Sequence, residues 1–238
     1  MTTIPAFAPQ AYAPPFNSEI TPPVSIRPTR GIASPQYLWP QNATLNISLF
    51  NMSDKAKDYI KERIKLWQPH TNLKFNFIAT PDGDIRISGR GDGSGNQSVI
   101  GTQARNRPID QPTMHIDLVD KTAQALNHSI RHEFGHALGL EHEHQHPDNT
   151  IHWNKKELLD ATELLGINEA ETKFNILTVF DRNTTIYSAY DQKSIMHYSV
   201  DSELTTDNIG VPLPVELSEG DKAFMRSLYP PTLETPAS

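Results

Sequence analysis

The chain reads as an α+β domain: a mixed, twisted sheet with an active-site helix, then a largely irregular C-terminal half that ends in a helix. Period-two alternation marks the strands. Leu45, Ile47 and Leu49 alternate with Thr44, Asn46 and Ser48, and the same pattern recurs at Leu73, Phe75 and Phe77 and at Ile85 and Ile87. Two longer segments carry apolar stripes at helical spacing, Ala56, Ile60, Ile64 and Trp67 on one, and Leu126, Ile130, Phe134 and Ala137 on the other. After a third helical stretch at 155–165 the chain is loop-rich until a short helix that begins near Leu217.

In chain order, residues 1–36 hold eight of the nineteen prolines and read as an extended arm outside the domain. Ser53 caps a helix over 54–68, which Pro69 stops. Residues 89–96 form a glycine-rich loop; Gly91-Asp92-Gly93 lacks the lysine of a phosphate loop and the acidic repeat of a calcium loop. Short strands are expected at 97–103 and 113–119, ahead of a helix over 122–139. Ser218, with Asp221 three residues on, starts the last helix, and Pro230 and Pro231 end it. The domain therefore covers 37–230, with a tail at 231–238.

With 238 residues, one core suffices. A net charge of -7, with no Lys/Arg cluster, argues against a nucleic-acid partner. The first forty residues lack a basic start followed by an apolar run, and no later stretch is apolar enough to span a bilayer, so a soluble protein without a Sec-type signal or a membrane partner is expected. Zero cysteines exclude disulfides and thiolate metal sites, which leaves histidine and carboxylate as metal ligands.

The chemistry concentrates in His132-Glu133-Phe134-Gly135-His136-Ala137-Leu138-Gly139-Leu140-Glu141-His142. His132 and His136 lie one helical turn apart on one face, and Glu133 lies beside them as a base. A straight helix would carry His142 about 15 Å from His132, too far for one ion with bonds of about 2 Å. The helix must therefore turn, and Gly139 is placed to reverse the chain and deliver His142. The pattern predicts one zinc ion on three histidines with an open position for water. His128, one turn before His132, either backs a ligand or is solvated, and His144 and His146 read as surface residues.

This motif, with Glu143 after its third histidine, and the separate run Ser194-Ile195-Met196-His197-Tyr198 together resemble the astacin family of metzincin zinc endopeptidases, especially its compact microbial members. Tyr37-Leu38-Trp39-Pro40, residues 84–88, residues 98–102, and Leu217 to Asp221 with Leu228-Tyr229 extend the likeness over about residues 37–230. The resemblance implies a zincin fold, with Met196 in a Met-turn beneath the metal and Tyr198 near it as a fifth ligand or transition-state donor. It also implies an extended protein or peptide substrate added to an edge strand near Ser98, Val99 and Ile100, and a monomer, either secreted by a non-classical route or cytoplasmic. The expected reaction is peptide hydrolysis by a zinc-activated water with Glu133 as general base. Alternatives are a zinc hydrolase acting on a non-peptide amide or ester, and a catalytically silent binding module.

Three departures limit the likeness. The family's usual disulfides are absent, and no Lys or Arg lies between Lys193 and Lys222 to support a preference for acidic residues after the cleaved bond. The family's latency motif has only a faint echo in Phe16-Asn17-Ser18-Glu19, which makes residues 1–36 a candidate propeptide. On that reading Glu19 blocks the zinc, and cutting after Arg30 lets the Gly31 ammonium reach Glu143.

Overall fold

The structure, a computed structural model, describes residues 30–89, 95–119 and 122–231. It begins with β1 (Ile32–Ala33), followed by β2 (Thr44–Phe50) and α1 (Asp54–Ile64). The Ser53 hydroxyl accepts the Ala56 N–H at the start of α1. Beyond Ile64 the chain tightens into a 3-10 turn, Lys65–His70, because Pro69 has no N–H for an α-helical bond. Then come β3 (Lys74–Ile78), β4 (Ile85–Ser88), β5 (Gln97–Ser98) and β6 (Met114–His115). The expected strand at 97–103 stops at Ser98, and Gly101–Asn106 is a 3-10 turn instead. The strand expected at 113–119 shrinks to two residues.

These strands form one sheet in the order β3-β2-β4-β6-β5, parallel except for β5, which runs antiparallel to β6 at the edge. One face packs on α1 and on α2 (Ala123–Ala137), where Ile60, Ile64, Ile130 and Phe134 meet Leu45, Ile47, Ile85 and Ile87. The centre of the sheet is buried on both faces, so β4 is buried at Arg86 and Ser88 as well as at its isoleucines. Arg86 forms no ion pair with a carboxylate among the described residues. Its guanidinium donates to the carbonyls of Gly83, Arg107, Pro108 and Gln111, which ties down the loop leading into β6.

The C-terminal half contains α3 (Lys155–Glu163), α4 (Glu169–Thr172), a π-helical turn (Lys173–Leu177), β7 (Ile186–Tyr187) and α5 (Glu219–Leu228). A second small core of Leu158, Ile176 and Leu204 holds it together. At α5 the expected cap forms in full: Ser218 Oγ accepts from the Asp221 N–H, and Asp221 accepts from the Ser218 N–H. Among the described residues no helix is long and apolar enough to cross a membrane.

The arm expected over 1–36 ends earlier in the structure. β1 pairs antiparallel with β7, Ala33 also bridges to Leu140, and both residues are buried, so chain from Gly31 onward belongs to the fold. Local composition gives no hint of this, because both partners lie more than a hundred residues away. Glu19 and residues 232–238 lie outside the described residues.

Candidate active site

The site is assembled where α2 ends. Gly139 has φ +105°, a backbone conformation that side chains resist. Through it the Leu140 N–H donates to Gly135 O at 3.0 Å and the Gly139 N–H to His136 O at 2.8 Å, the paired bonds of a Schellman turn. The reversed chain is then caught by β1, with the Glu141 N–H donating to Ile32 O at 2.9 Å, and His142 arrives over the helix. Trp39 Nε1 donates to Ala137 O, and Tyr229 Oη to Leu138 O, so both ends of the domain brace this turn.

His132, His136 and His142 converge, their candidate ligand atoms all within 4.8 Å of one another. His136 Nε2 and His142 Nε2 stand 3.0 Å apart. Tetrahedral zinc with bonds of about 2.0–2.1 Å needs nitrogens about 3.4 Å apart, so small adjustments would seat the ion. Two rings are already oriented for it: His132 Nδ1 donates to Ile195 O and His136 Nδ1 to Leu140 O, both at 2.8 Å, which leaves each Nε2 lone pair facing the centre. Burial holds His132 and His142 well below the usual histidine range and His136 at about 4, so the imidazoles are neutral, the form that binds metal. The donor set fits zinc.

Glu133 is buried beside the ligands, and desolvation alone raises its carboxyl to about 8. Met196 lies under α2. An added Cβ at Gly135 would overlap Met196 Sδ, so this glycine, between two ligands, is what lets the Met-turn close up. The carbonyl of Ile195, next to Met196, orients His132. Tyr198 is half-buried, with its ring centroid 4.4 Å from that of His142 and 5.8 Å from that of His132. Burial pushes its phenol above the usual tyrosine range, and Glu133 adds to this.

Glu143 is fully buried. Its Oε1 accepts from the Asp191 N–H at 2.7 Å, while Oε2 has no partner among the described residues. Burial raises its carboxyl well above the usual range, and the nearby Asp221 and Asp191 raise it further. His128, one turn before His132 on the same helix, is half-buried, 5.1 Å ring to ring from His132, and its Nδ1 donates to Pro214 O at 2.7 Å.

His144 and His146, expected at the surface, are both wholly buried. His144 Nε2 donates to Asn175 O at 2.9 Å, and His146 Nδ1 accepts the Asp148 N–H, so neither is a surface residue. Nor does either join the group of three that can hold a metal.

Ser98 lies in the edge strand β5, and the Val99 N–H donates to Thr113 O at 3.0 Å. Ile100 is buried, with its N–H taken by Gln103 Oε1 at 3.3 Å. Sequence reasoning missed Glu141, which is buried, bonded to Ser34 Oγ at 2.7 Å, and raised by burial to about 7. Its partner is remote in sequence and no local pattern marks it.

A mixed-sheet α+β fold with a three-histidine metal group, a carboxylate on the ligand helix and a Met-turn beneath it defines a metallopeptidase of the metzincin kind. The chain belongs to the astacin family of peptidases, whose model matches residues 31–210. The structure of myroilysin superposes with a TM-score of 0.79 at 32% identity, covering 85% of this chain and 100% of that one. Zinc metalloproteinase nas-38 of Caenorhabditis elegans is 30% identical over 150 residues, 60% of this chain, which spans only 17% of that relative's length. The hatching enzyme zinc-protease HCE-1 of the medaka Oryzias latipes shares the fold, with a TM-score of 0.57 at 18% identity, covering 83% of this chain and 96% of that one.

Proposed function

We propose that this protein is a zinc-dependent endopeptidase, acting as a monomer on protein or peptide chains, with Glu133 as general base and Tyr198 as transition-state donor. The observation that carries this is the convergence of three neutral imidazoles beside a buried carboxylate on the same helix. When held by His132, His136 and His142, zinc supplies Lewis acidity, which brings the pKa of a bound water toward 7. Glu133 then takes the proton of the attacking water and passes it to the leaving amine, a role supported by its burial beside the ligands on α2. The Tyr198 phenol donates a hydrogen bond to the oxyanion that develops on the scissile carbonyl. Ser98 on the edge strand offers main-chain groups to an extended substrate, with Val99 and Ile100 shaping the wall.

With the chain uncut, Arg30 lies 3.8 Å from Asp191, the residue whose N–H donates to Glu143 Oε1. This supports the reading that cleavage after Arg30 brings the Gly31 ammonium to Glu143; the further reading that Glu19 blocks the zinc beforehand rests on the sequence alone. Unchanged turnover in both Glu19→Ala and a trypsin-nicked sample would end that reading.

The main test is digestion of casein or gelatin by zinc-loaded wild type and Glu133→Gln. A loss on the order of 10²–10⁴-fold with zinc retained is expected for removal of a general base. Equal digestion would rule out Glu133 in that role, and no digestion by the zinc-loaded wild type would favour a non-peptide substrate or a binding module.

A further inference from the structure

β1 is held on both edges. On one side Ile32 and Ala33 pair with Tyr187 and Ile186 of β7, and the Ser188 N–H donates to Gly31 O at 3.1 Å. On the other, Ala33 bridges to Leu140, and Ile32 O accepts the Glu141 N–H. A strand of two residues thus joins β7 to the stretch that carries the third histidine. It does so through few main-chain bonds, each of which adds only modestly to stability.

A side-chain bond reinforces them. Ser34 Oγ donates to Glu141 Oε1 at 2.7 Å, with both residues buried. Ser34 stands at the start of the 3-10 turn Pro35–Tyr37, where a serine oxygen ordinarily accepts a backbone N–H, yet it makes no such bond. Its hydroxyl is committed instead to a residue 107 positions away. Nor is Glu141 explained by filling space, because taking a carboxyl out of water carries a cost that an apolar side chain in the same place would not.

The place of Glu141 in the chain gives the bond its consequence. Leu140 O orients the His136 ring through Nδ1 at 2.8 Å, and His142 directly follows Glu141. The bonds of the turn after α2 end at the Leu140 N–H, and Gly139 has no side chain to fix the direction in which the chain leaves. Beyond the histidine the chain is caught again, the Glu143 N–H donating to Met196 O at 3.0 Å. His142 therefore hangs between two anchors, one from β1 and one from the Met-turn, and the Ser34–Glu141 bond fastens the first.

We propose that Ser34 and Glu141 form a positioning pair that ties the third-histidine stretch to β1, so that the zinc affinity of the site depends on the N-terminal strand. The inference rests on the reading of His142 as the third ligand. The pair acts through the backbone from Leu140 to His142, which sets where the His136 and His142 nitrogens stand.

The test compares full-length wild type, Ser34→Ala, Glu141→Leu, the double variant and Glu141→Gln. Zinc affinity is measured by chelator competition, ligand geometry by the d–d bands of the cobalt-substituted protein, and stability by thermal unfolding of the metal-free protein. Each apolar single variant is expected to bind zinc on the order of tenfold more weakly, the low end of what loss of a group behind a metal ligand costs, and to shift the cobalt bands. The double variant should lose no more than the weaker single one, because the two groups act through one bond. Glu141→Gln, whose amide oxygen can accept the same hydroxyl, should stay within about threefold of wild type. Unchanged zinc affinity and cobalt bands in the single variants, with only metal-free stability lowered, would reduce the pair to a fold contact and overturn the inference. Losses that multiply in the double variant, or a Glu141→Gln as weak as Glu141→Leu, would overturn it as well. Ser34→Ala, the mildest change, decides the case should Glu141→Leu not fold. Full zinc affinity in His142→Ala would instead sink the underlying reading of the ligand.

Discussion

Asp221 joins the last helix to the Met-turn, and the balance of forces on its carboxylate predicts a pH-dependent stability. Oδ2 accepts the Ile195 and Ser218 N–H groups, each at 2.8 Å, and Oδ1 accepts the Ser194 hydroxyl at 2.6 Å. These three donors favour the ionised form, yet burial outweighs them, with Asp191 adding to it, and the carboxyl is raised from 3.8 to about 6. The folded protein therefore binds this proton more tightly than the unfolded chain does. The stabilising contribution is complete below about pH 3.8 and is lost as pH rises through about 6. A shift of about two units is worth roughly 3 kcal/mol, most of it lost between pH 4 and 7. Asp221→Asn keeps the shape and removes the titration. Urea unfolding of both proteins in excess chelator, at several pH values from 4 to 7, should show the variant gaining about 2 kcal/mol relative to wild type across that range. A difference that stays flat with pH would refute the reasoning. Buried histidines tilt both curves the other way but cancel in the difference.

Other positions test the frame of the site. Gly139→Ala places a side chain at φ +105° and within 2.9 Å of Leu38 Cδ2, so it should cost about 1–2 kcal/mol in thermal unfolding and weaken zinc binding by displacing His142. Arg86→Met leaves four carbonyls beside β4 without their donor and should cost on the order of 3 kcal/mol in urea unfolding, loosening the loop before β6. A cost below about 0.5 kcal/mol in either variant would show that the turn or the loop does not depend on that residue.

The parts of this site that could be read from sequence are those that short-range geometry dictates. The stripe of Leu126, Ile130, Phe134 and Ala137 places α2 against the sheet, the four-residue spacing aligns His132 with His136, and Gly139 marks the reversal. What could not be read depends on partners far along the chain. His144 and His146 read as surface residues, yet the run they belong to is buried, and Asn175, Ser34 and Asp191 bond its His144, Glu141 and Glu143 from 31, 107 and 48 residues away. Arg86 between two isoleucines reads as one exposed side chain on a half-buried strand, but β4 is central and buried on both faces. The strand expected at 97–103 fails for a related reason: beyond Ser98 the apolar Ile100 turns into the core in place of continuing the ladder. Gly135 carries no sign of its purpose until Met196 is placed against it.

The account stands most directly on which histidines hold the metal. Competition titration with a zinc chelator on wild type, His142→Ala, His144→Ala and His146→Ala should find one zinc per wild-type chain. Affinity should fall at least a hundredfold in His142→Ala, and on the order of tenfold or less in the other two. Tight zinc binding retained by His142→Ala, or lost to the same extent in His144→Ala or His146→Ala, would contradict a centre built from His132, His136 and His142.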